Sequence, residues 1–248
     1  MYGPIFYTAG RTEAMLCAEA ILRKQGCQFA SEPDLSVTHL LLGVPSFEAD
    51  GSLKGGGCLD EILPALSPQV NICGGGLSDR IPASFQKIDL LNDPFYLAEN
   101  ARITAHCALG LAVKKLPCIL FGCPVLVVGW GRIGKCLAKL LSDVGAHVSV
   151  AVRKPSDRAM LDALGYDSLD IATLSGSLLR FRVIFNTVPE MVLPADVMES
   201  AREDCLKIDL ASVVGMDAPN SIHARGLPGR YASESSGELI AKTLLRLR

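Results

Sequence analysis

The sequence predicts an α/β fold in two successive domains, because short apolar segments alternate with helical ones and a glycine motif starts halfway along the chain. The chain has 248 residues, of which 49% are apolar, enough for substantial cores. No uninterrupted apolar run reaches the roughly 18–20 residues of a membrane span, and the first residues do not have the pattern of a signal peptide. The formal net charge is −2 with dispersed Lys and Arg, so we expect no nucleic-acid or membrane partner.

The first half of the chain is expected to form a smaller, flavodoxin-like α/β domain. Its predicted elements are strands at 5–8, 38–44 and 70–73 and helices at 11–24 and 59–66. These lengths suit a small parallel sheet with helices on its faces. A long helix from Phe95 to about Leu116, ended by Pro117, is predicted to connect this domain to the next.

The most informative motif lies in the second half, where the apolar strand 125–128 runs into Gly129-x-Gly131-x-x-Gly134 and a helix beginning near Ile133. The first glycine permits the tight turn, the second lets backbone approach a pyrophosphate, and the third lets the helix pack against the sheet. The helix N-terminus offers N–H groups to the phosphates. A structural turn would give the same letters, but the second strand at 147–152 favours a Rossmann-type, dinucleotide-binding sheet. The predicted cofactor contacts here are Gly129, Trp130, Gly131, Arg132, Ile133 and Gly134.

The end of the second strand indicates which dinucleotide is bound. An acidic residue there usually accepts hydrogen bonds from the adenosine ribose of NAD, but the position 24 residues after Gly129 is Arg153, followed by Lys154 and Ser156. A guanidinium with a neighbouring ammonium and hydroxyl suits a 2′-phosphate. The sequence therefore favours NADP, with NAD as the alternative cofactor. The competing interpretation of Arg153 and Lys154 is an ordinary solvated turn.

Later strands supply further candidate contacts. Predicted elements are a helix at 158–164, strands at 183–185 and 206–210, and a terminal helix at 234–247. Ligands of open parallel sheets collect outside the carboxyl ends of the strands. Nicotinamide and ribose contacts are therefore predicted from residues that end these strands: Asn186, Thr187, Val188, Pro189, Asp209, Ala211 and Ser212. Asp209 has an alternative role as a structural cap of the following turn.

These elements define the expected domain organisation. Residues 1–116 form the N-terminal domain with its connecting helix, and residues 117–230 form the NADP-binding domain. Residues 231–248 form a helix that folds back towards the first domain. Nine cysteines without a Cys-x-x-Cys pair argue against zinc or a dithiol redox site and predict free thiols in a cytoplasmic protein.

Several of these segments together resemble the family of dipicolinate synthase A subunits, which is related in architecture to D-2-hydroxyacid dehydrogenases. The resemblance is carried by the Arg153 strand end and by Val127-Val-Gly-Trp-Gly-Arg-Ile-Gly, Asn186-Thr-Val-Pro, Ile208-Asp-Leu-Ala-Ser, Gly226-Leu-Pro-Gly and Ser236-Gly-Glu-Leu-Ile-Ala. It continues more weakly through 38–45 and 100–111. It implies an oxidoreductase that, with a flavoprotein-like B subunit, converts a dihydrodipicolinate-type dicarboxylate to dipicolinate in sporulating bacteria.

The chain departs from the family pattern near the expected cleft. His106 stands where the family has a glutamate in the connecting helix, Val213 where it has an arginine, and Glu234 where it has a lysine. Dicarboxylates need cations, and Arg230 and Arg102 are the candidate replacements. These changes leave open a related dehydrogenase for another small carboxylate, or a non-catalytic nucleotide-binding subunit.

The predicted catalytic residues are His106 and Arg230. Histidine titrates near neutrality, which suits an acid–base group. The alternative for His106 is a packed helix residue. A homo-oligomer is expected, and a B-type subunit is the candidate protein partner.

Overall fold

The computed structural model describes residues 3–77 and 80–247, which contain eleven strands and eight α-helices. The strands are β1 (Ile5–Thr8), β2 (Gln28–Phe29), β3 (His39–Leu41), β4 (Asn71–Gly74), β5 (Gln86–Asp89), β6 (Pro124–Val128), β7 (His147–Val152), β8 (Asp167–Asp170), β9 (Val183–Asn186), β10 (Leu206–Asp209) and β11 (Ile222–His223). The α-helices are α1 (Glu13–Lys24), α2 (Leu59–Ile62), α3 (Pro94–Lys115), α4 (Arg132–Asp143), α5 (Pro155–Ala163), α6 (Ala195–Met198), α7 (Leu227–Tyr231) and α8 (Ser233–Arg246).

The N-terminal sheet has five parallel strands in the order β2-β1-β3-β4-β5. This is the flavodoxin-like order, in which the chain changes direction across the sheet between its first and third strands. Leu40, Leu42 and Ile72 pack into a core on one face of this sheet. The flavodoxin-like character predicted for this half is confirmed.

The C-terminal sheet has six strands in the order β11-β10-β9-β6-β7-β8, all of them parallel. Counted from β6, this is the strand order of the Rossmann fold, with β6 at the point where the order reverses. Val125 and Val127 pack on one face, and Leu126 and Val128 pack on the other. A strand buried on both faces explains why 125–128 is continuously apolar. The predicted α/β class with a C-terminal Rossmann-type sheet is confirmed.

The chain divides into two compact units, Met1–Asn100 with Pro228–Arg248, and Ala101–Leu227. Within the first unit, α8 packs on α1 so closely that a Cβ on Gly237 would lie 2.5 Å from the Cβ of Cys17. The division falls inside α3, whereas the sequence places a domain boundary at Pro117. The domain bounds given above stay predictions.

Four of the nine cysteines are buried. All nine are free thiols, and burial raises the pKa of Cys73 to about 12 and that of Cys205 to about 11. These two thiols therefore stay protonated at neutral pH.

None of the described helices combines the length and apolar character needed to cross a bilayer, and the described His, Cys, Asp and Glu side chains form no group of three suited to a metal ion.

Candidate functional site

The glycine loop between β6 and α4 is shaped by three different contacts. Gly129 has φ of +103°, and a Cβ there would lie 2.5 Å from Thr187 Oγ1. A Cβ on Gly134 would lie 2.2 Å from the Gly129 carbonyl oxygen, so only glycine allows α4 to pack this tightly against the loop. A Cβ on Gly131, in contrast, would have none of the described atoms within 4 Å beyond its immediate chain neighbours. The loop therefore closes on the protein at Gly129 and Gly134 and leaves space at Gly131.

The open space coincides with the start of a helix. Gly131 is the N-cap of α4, with φ of −78°, and has no side chain to bond the first N–H groups of the helix. These N–H groups have no intrahelical acceptor, and the helix dipole adds positive charge there. Such a position attracts phosphate oxygens, as expected for the pyrophosphate of a dinucleotide.

The side chains of Trp130, Arg132 and Ile133 have different surroundings. Trp130, the single tryptophan of the chain, packs edge-on against Tyr166 at a centroid distance of 5.8 Å, and Lys135 Nζ lies 5.8 Å from the centre of its ring. Arg132 is exposed, and Ile133 packs against the core of the Rossmann sheet. Trp130 is therefore a natural fluorescent reporter of events in this loop.

Arg153 lies just beyond the end of β7, at the position where Rossmann folds recognise the adenosine ribose. Its backbone carbonyl accepts a hydrogen bond from Arg158 Nη1 at 3.2 Å, and Arg158 in turn pairs with Asp170 at 2.9 Å. Lys154 and Ser156 are exposed beside it, at the N-terminus of α5. The basic character predicted for this strand end is therefore exposed to solvent.

An acidic residue that the sequence pattern does not reveal faces Arg153. Glu190 Oε2 lies 3.1 Å from Arg153 Nη1, and both side chains are more than half exposed, at 60% and 63%. Glu190 follows β9 and is 37 positions away from Arg153 in the chain. Nothing in the local sequence signals this pair, because it depends on how two separate loops converge.

The ends of β9 and β10 are joined by a buried polar network. Asn186 is fully buried, and its Nδ2 donates to Asp209 Oδ1 at 2.9 Å and to the Val188 carbonyl at 3.0 Å. Asp209, only 1% exposed, also accepts from the N–H groups of Ala211 at 3.1 Å and Gly215 at 2.9 Å. These bonds favour the structural role of Asp209, and they engage Asn186 in the same way. Both side chains fix the backbone of the loops that follow them.

The other predicted contacts lie at the same carboxyl edge of the sheet. Thr187 Oγ1 donates to the Val128 carbonyl at 2.9 Å, which ties this loop to the end of β6. Val188 is partly buried beside Gly129, whereas Pro189 and Ser212 are exposed. Thr187 and Val188 border the glycine loop through their side chains, since a Cβ on Gly129 would lie 2.5 Å from Thr187 Oγ1 and 2.8 Å from Val188 Cγ2. Ala211 is buried after β10.

The predicted catalytic residues belong to different units. His106 is exposed on α3 in the unit 101–227, and Arg230 is exposed on α7 in the other unit. Val213 is 56% exposed in the loop after β10. Exposure leaves His106 accessible for proton exchange, and the catalytic roles of His106 and Arg230 stay predictions.

The strand order, the glycine loop and the open helix start define a Rossmann-type α/β fold with an accessible helix N-terminus at its switch point. No family model matches the chain. A curated relative, the A subunit of dipicolinate synthase from Bacillus subtilis strain 168, is 28% identical over 156 residues, which cover 60% of this chain and 52% of the relative. The match thus spans about half the length of that relative.

Solved structures extend the likeness to the whole chain. The A subunit of dipicolinate synthase from Bacillus halodurans superposes with a TM-score of 0.86 at 19% identity, covering 100% of this chain and 98% of that one. A transhydrogenase from Sinorhizobium meliloti superposes with a TM-score of 0.73 at 12% identity, covering 98% and 92%. L-alanine dehydrogenase superposes with a TM-score of 0.68 at 12% identity, covering 98% of this chain and 80% of that one. The resemblance to the dipicolinate synthase A subunits and the architectural relation to dehydrogenases are confirmed.

Proposed function

We propose that this chain is an NADP-dependent oxidoreductase of the type of the dipicolinate synthase A subunits. The observation that carries the proposal is the glycine loop, which is closed at Gly129 and Gly134 but open at Gly131 where α4 begins. A dinucleotide fits this arrangement because its pyrophosphate needs close backbone approach and free N–H donors.

The protein's own groups would hold the cofactor at three places. The N–H groups after Gly131 would bind the pyrophosphate, and Arg153 with Lys154 and Ser156 would bind the 2′-phosphate. The loops after β9 and β10 would border the nicotinamide, with Asn186 and Asp209 holding their backbones in place. When bound, the nicotinamide supplies hydride transfer.

The preference for NADP rests on charge at the end of β7. A 2′-phosphate forms charge-assisted hydrogen bonds with a guanidinium that a free 2′-hydroxyl cannot match. Arg153 is exposed and its backbone is fixed by Arg158. NAD stays the alternative, since the glycine loop serves both cofactors alike.

The proposed substrate is a small dicarboxylate of the dihydrodipicolinate type. His106 is the candidate for holding and moving the proton, because its imidazole is exposed and histidine is the side chain most often used for acid–base catalysis. Arg230 is the candidate cation for a substrate carboxylate. From the resemblance to the dipicolinate synthase A subunits we further propose a bacterial cytoplasm during sporulation, a homo-oligomeric enzyme and a B-type partner subunit.

Two other functions have an observation in their favour. Val213 exposes an apolar side chain where the resembled family has an arginine, which favours a related dehydrogenase for a less highly charged carboxylate. The same change is compatible with a non-catalytic nucleotide-binding subunit that supports a partner.

Turnover separates these functions. The purified chain, with and without a B-type subunit, is given a dihydrodipicolinate-type substrate and NADP, and formation of reduced nicotinamide is followed by absorbance. Turnover supports the proposal. Turnover with other small carboxylates alone favours the related dehydrogenase, and nucleotide binding without turnover under any condition favours the non-catalytic subunit.

His106→Ala is expected to lower turnover by about a hundredfold, the range of a lost acid–base group, with little change in cofactor affinity. The matched control is His147→Ala, because His147 is also exposed but begins β7 at the opposite edge of the sheet. Equal turnover by both variants would remove His106 from the catalytic group.

A further inference from the structure

The pairing of the strands fixes what lies beneath the ion pair of Arg153 and Glu190. Val128 at the end of β6 pairs with Ala151 in β7 on one side and with Asn186 in β9 on the other. Because β7 and β9 flank β6, these two strands are two strand spacings apart, about 10 Å. Arg153 follows β7 and Glu190 follows β9, so their side chains meet across the end of β6, where the glycine loop begins.

This position is the topological switch point of the Rossmann sheet. The chain leaves β6 towards β7 and later returns to β9 on the other side of β6, which opens the crevice where ligands of such sheets bind. The adenosine ribose of a dinucleotide lies at the β7 side of the crevice. Glu190 therefore brings a carboxylate from the β9 side to the Arg153 guanidinium, which would recognise this ribose.

We infer that Glu190 limits the preference for NADP by competing with its 2′-phosphate for Arg153. The inference rests on the proposed function. A 2′-phosphate and the Glu190 carboxylate are both anionic acceptors for one guanidinium, so NADP must displace the carboxylate and then tolerate it nearby. The ribose of NAD has a 2′-hydroxyl instead, which can donate a hydrogen bond to the carboxylate.

The exposure of the pair makes this competition possible. Both side chains are more than half exposed, and such pairs are weak and screened by salt. A phosphate can therefore displace the carboxylate, but only with a measurable loss of affinity. Glu190 thus keeps the preference for NADP moderate, and NAD remains able to bind.

The test is titration calorimetry of NADP and NAD with the unmodified chain and with Glu190→Gln, supported by the fluorescence of Trp130. The amide keeps the size of the side chain and removes its charge. NADP is expected to bind about fivefold more tightly to the variant, the scale of an exposed ion pair, and this gain should shrink at high ionic strength. NAD is expected to bind equally or slightly less tightly.

Glu203→Gln is the matched control. Glu203 is exposed and precedes β10, so it lies at the opposite edge of the same sheet. The substitution is the same and changes the net charge equally, yet neither affinity should change. The double variant Arg153→Ala with Glu190→Gln is compared with Arg153→Ala alone. Its gain in NADP affinity should be well below fivefold, because the competition acts through Arg153.

The outcomes are distinct. Tighter NADP binding by Glu190→Gln but not by Glu203→Gln supports the inference. Unchanged NADP affinity in Glu190→Gln, or an equal gain in both variants, overturns it while leaving the proposed function intact. If the unmodified chain binds neither nucleotide, the proposed function and the inference fall together.

Discussion

Two helices of this protein start in the same topological position, but their N-termini are capped differently. Each follows the first strand of its sheet, α1 after β1 and α4 after β6. The start of α1 is closed by its own chain, since Thr12 accepts a hydrogen bond from the Met15 N–H at 3.3 Å. The start of α4 is capped by Gly131, which has no side chain and faces open space.

The surroundings reinforce the difference. Next to α1, the N–H of Arg11 donates to the Gly55 carbonyl at 3.1 Å, and a Cβ on Gly10 would lie 2.2 Å from the Lys54 carbonyl oxygen. The glycines there let the chain pack on itself. Glycine density alone therefore does not indicate a phosphate site; the feature that favours one in the proposed function is the open glycine at the start of α4.

The largest expected effect comes from closing the packing contact of α4. Gly134→Ala would place a Cβ 2.2 Å from the Gly129 carbonyl oxygen, so the helix must shift. We expect a loss of about 3 kcal/mol in the free energy of unfolding and loss of nucleotide binding. Chemical denaturation and calorimetry measure the two effects.

Gly110→Ala is the matched control in the exposed middle of α3, where none of the described atoms beyond the helix's own backbone lies within 4 Å of the added Cβ. Alanine is favoured over glycine in a helix by about 1 kcal/mol, so this variant should be more stable. If the two alanine variants had equal stability, the packing account of Gly134 would be wrong.

The second effect makes α4 resemble α1. Gly131→Ser supplies a capping hydroxyl for the first N–H groups of the helix and places a side chain in the open space. Stability should change little, but NADP and NAD should both bind at least about tenfold more weakly, since charge-assisted hydrogen bonds to phosphate are worth about 1.5–3 kcal/mol. Unchanged affinities in a calorimetric titration would move the pyrophosphate away from Gly131.

The smallest effect is on α1. Thr12→Ala removes the cap and should lower the free energy of unfolding by about 1 kcal/mol without changing nucleotide affinity. Thermal unfolding measures the first quantity and calorimetry the second. Weaker nucleotide binding in this variant would contradict the assignment of the phosphate site to α4 alone.

The strongly apolar elements could be predicted from the sequence. The strand at His147–Val152 has the predicted bounds, and the strand at Pro124–Val128 begins one residue earlier than predicted. Strands at the edges of the sheets are absent from the prediction: Gln86–Asp89 and Asp167–Asp170 are polar and only partly buried. An edge strand has one hydrogen-bonded neighbour and little apolar pattern, so periodicity does not detect it.

The partners of the polar groups in the site became clear only from the structure. Glycine spacing indicates a tight turn, but it does not tell whether Asp209 faces a ligand or the N–H groups of Ala211 and Gly215. Glu190 could not be found from the sequence, because its pairing with Arg153 comes from strand order. The pair of Arg153 and Glu190 depends on a contact distant in sequence, for which the local pattern holds no signal. The contacts of Asp209 are local and match one of the two roles that the sequence left open.

The central claim is that the carboxyl edge of the Rossmann sheet binds NADP in preference to NAD, and that Arg153 causes this preference. Calorimetric titration of both cofactors into the unmodified chain and into Arg153→Ala tests it most directly. We expect NADP to bind about tenfold more tightly than NAD, a difference of about 1.4 kcal/mol, and Arg153→Ala to remove most of this preference with NAD binding nearly unchanged. Equal affinities in the unmodified chain would contradict the claim and leave Arg153 and Lys154 as an ordinary solvated turn.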